Sequence, residues 1–369
     1  MSAKKNQENG FISVFCDRYS ISRDEMCGLM DTSLLEAIQR YVQLEEARKP
    51  FLLCQLTKML QFVLANLAPM RRYQIVDLIK GLVRNRVRVK QAEFQQYEIL
   101  NRLSKALRES ASNNYWNGYS AAICLSHDID YEMGHAFVPN MAEINLDHGV
   151  KASFNFLTGW DYEIDHEVVS SLVEQGFEIG LHGHTHDIAL GCRRRSRIEK
   201  DLRNSLDFIT RYAVSGFRAP ALSIGDNLLA VLSRLGLTYD SSFSGVDRYT
   251  GVVSFCLPFR FTAFGMWEIP LSIQDTYFFR DRNLSDTDAL EEAISIMDAI
   301  VGMGGVAVIN CHPCIAKNHL EFYRGVLSYI AKQNRVWNPC LIDLVLFLKN
   351  RSDANVQGHE NWGCNTSLQ

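Results

Sequence analysis

Between residues 119 and 350 the chain repeats one pattern, a short apolar run followed by an amphipathic stretch. The apolar runs are AAICLS, KASFNFLTG, FEIGLH, GFRAP, TYDSS, WEIPLS and VAVINC. Among them lie EVVSSLVEQG, DNLLAVLSRLG and DALEEAISIMDAIVGMG. Brief apolar runs bounded by Gly, Pro and polar turns read as buried strands, whereas apolar residues at i, i+3 and i+4 read as helices. Strand–helix alternation implies parallel strands, because a crossover helix returns the chain to the sheet in the same direction. An α/β domain over residues 116–350 is the expectation. A barrel and an open doubly wound sheet both satisfy this pattern.

Residues 1–115 read differently, as an all-α N-terminal module. Ser33 and Glu36 form a capping box ahead of the stripe Leu34, Leu35, Ile38, Tyr41 and Val42. Pro50 opens a second stripe, and Ile75–Leu82 and Leu100–Leu107 supply two more. This half is net basic and the remainder net acidic, within an overall charge of −4. The run Arg71, Arg72, Lys80, Arg84, Arg86, Arg88 and Lys90 could meet a membrane surface or a protein partner, or be a solvated face. The charge by itself speaks neither for nor against nucleic acid, and no such partner is expected. The Ser/Asn/Gly-rich stretch 108–121 marks the boundary, and the polar segment 351–369 reads as a flexible tail. The N-terminus lacks an apolar signal core, no stretch suits a transmembrane span, and ten scattered cysteines suit a reducing compartment. A cytoplasmic location is therefore expected. Cys311 and Cys314 have redox-motif spacing, but a thioredoxin-like βαβ context is missing around them.

The chemistry falls where strands end. After Ala121–Leu125 comes Ser126-His127-Asp128-Ile129-Asp130, whose two aspartates point the same way on an extended chain. After Phe177–Leu181 comes His182-Gly183-His184-Thr185-His186. Histidines four apart share a face in a helix or a strand. Two imidazoles and a carboxylate with open positions make a hydrolytic metal site. After Val306–Asn310 comes His312. Ionisable groups at the carboxyl ends of successive strands are where α/β folds place active sites. His127 and His184 point away and read as structural. Asp275 follows another apolar run. Arg193, Arg194, Arg195 and Arg197 read as a solvated helix start or as a grip for an anionic substrate.

Together these motifs, with KASFNFLTG and SLVEQGFEIGLHGHTH, resemble the polysaccharide deacetylase family (carbohydrate esterase family 4) over residues 119–350. The resemblance implies a distorted (β/α) barrel of the polysaccharide deacetylase type. It implies Asp128 as catalytic base and Asp130, His182 and His186 as ligands of a divalent metal, zinc being the expected ion. Arg218 of Arg218-Ala219-Pro220 would orient Asp128, and the Ala221 N–H would join an oxyanion hole. Asp240 of Asp240-Ser241-Ser242-Phe243 would lie near His312, the general acid. Four positions depart from the family pattern: Ile129 separates the aspartates, Gly183 replaces a hydroxyl residue, Ala221 an aromatic, and Asn310 a leucine of the acyl pocket.

The implied activity is a metal-dependent deacetylase or amidohydrolase acting on non-peptide C–N bonds. An N-acetylated amino sugar or glycan precursor is the expected substrate. Two alternatives stand beside it: a hydrolase of a non-sugar C–N bond, allantoinase-like, and a silent domain that binds glycan or partner.

Overall fold

The computed structural model describes residues 116–246, 256–261 and 264–360. The N-terminal module, its basic run and residues 361–369 lie outside the described residues. Ten strands form one sheet: β1 (Ala121–Ile129), β2 (Ala152–Leu157), β3 (Glu178–Gly183), β4 (Gly216–Phe217), β5 (Tyr239–Asp240), β6 (Phe259–Phe261), β7 (Met266–Glu268), β8 (Ile273–Gln274), β9 (Val306–Asn310) and β10 (Val336–Trp337). Their order is β6-β7-β5-β4-β3-β2-β1-β9-β8, with β10 beside the start of β1. Every pairing is parallel except β6–β7.

Burial explains the continuous apolar runs. All nine residues of β1 are buried, as are all of β2, β3 and β9. Strands covered on both faces have no reason to alternate. The sheet curls. β7 pairs with β5, β8 pairs with β9, and only the short stretch 269–272 separates β7 from β8. Ile269 N–H donates to Asp240 O at 2.9 Å and Ser272 N–H to Val308 O at 2.9 Å, so one extended segment draws the two ends of the sheet path together. The curled, largely parallel sheet with its crossover helices is a distorted (β/α) barrel.

The helices are set by local signals. Asp165 caps His166–Glu174 by accepting the Glu167 and Val168 N–H groups, and Ser285 caps Asp286–Gly302. Such caps contribute about 1 kcal/mol each. Proline opens Val138–Asp147 and Pro313–Ala316, where its missing N–H costs nothing. The C-terminal helix, Leu341–Glu360, runs past Asn350, where a polar tail was expected to begin. No described helix is long and apolar enough to cross a membrane.

Candidate metal centre and catalytic groups

Asp128 is the penultimate residue of β1 and Asp130 the first beyond it. His182 lies in β3, whose last residue, Gly183, has φ +114°. That left-handed backbone neither continues the strand nor starts a helix. It turns the chain so that His186 comes back to His182 by a bend, where the sequence suggested a shared helix or strand face. A Cβ at Gly183 would sit 3.1 Å from Thr185 O. Glycine is needed here for shape, whatever hydrogen bond a hydroxyl would have made.

The carboxylate and both imidazoles converge. His182 Nε2 is 3.2 Å and His186 Nε2 3.6 Å from Asp130 Oδ1. One donor atom from each of Asp130, His182 and His186 lies within 4.8 Å of the others. His182 Nδ1 is 2.8 Å from Arg218 O, an acceptor, so Nδ1 carries the proton and Nε2 presents its lone pair. Asp130 Oδ1 is buried and has no hydrogen-bond partner among the described residues. Acceptors facing one another in a buried place call for a cation between them. The donor set fits a divalent metal ion.

Two further groups flank this point. Asp128 is held from both sides, Oδ1 by Asn155 Nδ2 and Oδ2 by Asn310 Nδ2, each at 2.8 Å. Arg218 Nη1 stands 3.6 Å from Oδ2, an ion pair longer than a hydrogen bond. Burial alone would raise the Asp128 carboxyl, but His182, Arg218 and His312 outweigh it and hold it low. His312 points Nε2 toward Asp130, 3.8 Å from Oδ2, and its Nδ1 lies 2.5 Å from Asp275 Oδ1. Burial opposes a charge on His312, yet Asp275 more than compensates and its pKa rises to about 10. Burial likewise works against the Asp130 charge, and His186, His182 and His312 overcome it. Burial lowers His186 despite Asp130, which keeps that imidazole neutral and fit to ligate.

Residues 119–239 match the family model described as polysaccharide deacetylase. Over those residues the chain is similar to the polysaccharide deacetylase family. Among curated proteins, the peptidoglycan deacetylase-like protein FGM2 of Gibberella zeae is 31% identical over 94 residues, 25% of this chain and 28% of that protein. The match thus spans little more than a quarter of the relative's length. A Mycobacterium smegmatis structure, provisionally described as a polysaccharide deacetylase, superposes with TM-score 0.54 at 18% identity, covering 64% of this chain and 92% of that one. PuuE allantoinase superposes with TM-score 0.51 at 14% identity, covering 63% and 92%. At such identities the likeness is one of fold.

One expected neighbour of His312 moves. Asp240 was expected near His312, but the carboxylate on His312 is Asp275. The pairing explains this. β8 aligns Gln274 with Asn310, so the residues just beyond, Asp275 and His312, emerge together. Asp240 pairs instead with Phe217 and Glu268 on the far side of the strand order. Asp275 also accepts the His312 backbone N–H at 2.6 Å.

Asn310, noted from sequence as a polar residue in the acyl pocket, has its amide engaged on Asp128. Asn155 escaped notice, although an Asn inside a buried apolar strand is itself a signal. It pairs directly with Asp128 in register, and Gly180 opposite leaves it room, since a Cβ there would lie 2.1 Å from its Oδ1. His127 and His184 take structural partners: His127 Nδ1 meets Cys311 O at 2.9 Å, and His184 Nδ1 meets Thr158 Oγ1 at 3.0 Å. Burial pushes His127 down to about 4, so it is neutral. Arg193 pairs with Asp187 and Arg195 with Glu199 at the start of the helix Arg195–Leu202. Cys311 and Cys314 are free thiols, and burial pushes both up, Cys314 to about 12.

Proposed function

We propose that this domain is a metal-dependent amide hydrolase that removes the acyl group from an N-acetylated amino sugar or glycan precursor. Asp130, His182 and His186 hold the ion, for which zinc suits two imidazoles and a carboxylate. The reading rests on one observation: three converging acceptor atoms with a carboxylate, Asp128, and a histidine, His312, beside them. A divalent cation bound there supplies Lewis acidity to a water and to the scissile carbonyl.

The chain's own groups do the proton work. Asp128 keeps a lone pair beyond the two amides that hold it, and takes the proton of the attacking water. His312, charged through neutral pH, gives its Nε2 proton to the departing amine, otherwise a very poor leaving group. Asp275 keeps Nδ1 protonated, so Nε2 is the end that donates and recovers the proton. Ala221, at φ 50° in the turn Pro220–Leu222 that follows Arg218, serves through its N–H as the oxyanion donor. One such donor contributes on the order of 3 kcal/mol in comparable sites.

A sugar suits the surroundings. Trp160, on the loop after β2, is 46% exposed, and its ring lies 6.4 Å from that of His186. An exposed indole beside the reacting centre offers a flat apolar face to a pyranose. Acetate release from soluble N-acetylhexosamine conjugates, with and without chelator, tests the proposal. Chelator-sensitive release supports it, and a panel without any such release overturns the sugar assignment.

A further inference from the structure

Four polar side-chain atoms crowd one buried place without hydrogen-bond partners among the described residues: Asp240 Oδ2, Glu268 Oε2, and Nε and Nη1 of Arg218. All three residues are fully buried. Asp240 and Glu268 are direct neighbours in the parallel β5–β7 register, so their side chains leave the same face side by side. The other oxygen of each is occupied: Asp240 Oδ1 accepts the Ser242 hydroxyl at 2.7 Å, and Glu268 Oε1 accepts the Phe243 N–H at 2.9 Å. The two remaining oxygens are therefore buried and unpartnered on neighbouring side chains of one face. Two ionised carboxylates have no proton with which to bond to each other, and like charges on adjacent buried side chains do not both ionise.

We infer that Asp240 and Glu268 share one proton at neutral pH, and that the resulting single negative charge positions Arg218 against Asp128. The proton satisfies both orphan oxygens at once. The charge count then balances in a simple way. Arg218 reaches Ser241 Oγ with Nη2 at 2.9 Å and Ser126 Oγ at 3.4 Å, while Nη1 stays 3.6 Å from Asp128. With the acid pair behind it, the guanidinium is not forced into close contact with Asp128 as its only anion. Asp128 stays oriented by its two amides and open to a water. Burial pushes Asp240 up to about 6 and Glu268 well above its usual range, in keeping with one proton held by the pair at pH 7. The charged groups facing the pair are each other and Arg218, which in turn faces Asp128 and the Tyr239 hydroxyl. Asp240 and Glu268 are positioning residues. Only the kinetic consequence rests on the hydrolase reading; the shared proton does not.

Three variants of the full chain test this: Glu268→Gln, Asp240→Asn and the double substitution. Each single variant lets an amide donate to the remaining carboxylate, so the proton leaves and one negative charge stays. The double variant leaves none. Infrared spectra of the wild type at neutral pH should show the carbonyl stretch of a protonated carboxyl, lost in either single variant. Should one single variant fail to fold, the other suffices. The folded pair binds a proton that the unfolded chain releases, so the pair's contribution to stability is greatest at low pH and falls as pH rises. Relative to Glu268→Gln, the folding constant of the wild type should fall about tenfold per pH unit above about 6. Single variants should lose at most severalfold in kcat, and the double at least about tenfold more than their product, with KM little changed. The Arg218 Nε–H resonance should move in the double variant and stay near its place in the singles. Absence of the infrared band, or a stability ratio flat with pH, overturns the shared proton even if no substrate is found. A double variant whose Arg218 resonance or kcat follows the sum of the singles overturns the positioning role.

Discussion

Asp275→Asn isolates the group on which the proton donor depends. The substitution keeps shape and removes charge from the carboxylate that holds His312 Nδ1 at 2.5 Å and its backbone N–H at 2.6 Å. Burial alone would take His312 below its ordinary 6.5, and Asp275 is the largest of the groups that lift it to about 10. At ~1.36 kcal/mol per pH unit that interval is worth about 5 kcal/mol, shared among Asp275, Asp130 and Asp128. Without Asp275, only Asp130 and Asp128 remain to offset burial, and His312 falls toward its ordinary 6.5. A histidine at 6.5 is ~3% protonated at about pH 8, which predicts a loss of about 30-fold in kcat there. At about pH 5.5 the same histidine is ~90% charged, and turnover should come within about twofold of the wild type. The assay is the pH dependence of kcat on a soluble N-acetylhexosamine conjugate. The wild-type basic limb should lie near 10, and that of the variant near 6.5. A variant whose basic limb coincides with the wild type would refute His312 as the acid tuned by Asp275.

Other perturbations separate the remaining roles. Asp128→Asn should abolish turnover while elemental analysis finds metal content unchanged, because Asp128 is not one of the three converging groups. His182→Ala or Asp130→Ala should remove bound metal as well as activity, since a three-ligand site seldom survives the loss of one. Gly183→Ala places a side chain at φ +114° and a Cβ 3.1 Å from Thr185 O. The strain of about 1–3 kcal/mol should lower the melting temperature, and displacement of His186 should weaken metal binding. Trp160→Ala should raise KM for oligosaccharides more than it lowers kcat, and Trp160→Phe should restore much of the difference.

Much of the barrel and of the metal cluster could be read from sequence because both follow short-range rules. Nine-residue β1 and the five- and six-residue strands β2, β3 and β9 are long enough to show as apolar runs, and β1, β3 and β9 deliver their chemistry within or just past their last residues. The two-residue strands β4, β5, β8 and β10 carry no periodicity, so their order and register lay beyond such reading. That gap is where the expectation for Asp240 failed. Which carboxylate meets His312 is decided by β8 pairing with β9, a contact between residues far apart in the chain. Glu268 was missed for the same reason, since MWE in β7 looks like any strand end until β5 lies beside it. The bend at Gly183 was hidden because histidine spacing alone fits several backbones.

The roles visible only in three dimensions share a property: each is exerted on another side chain. Asn155 and Asn310 fix Asp128, Asp275 charges His312, and the Arg218 carbonyl sets the His182 tautomer. Arg218 is the hub. Its backbone serves a metal-site histidine, its guanidinium faces Asp128, and Ser241 and Ser242, just past the end of the neighbouring β5, hold its side chain and the next peptide N–H. A change at β5 therefore reaches the carboxylate and the imidazole together, through one buried cation. Substitutions around Arg218 should consequently be non-additive with those at Asp128, even where the side chains never touch.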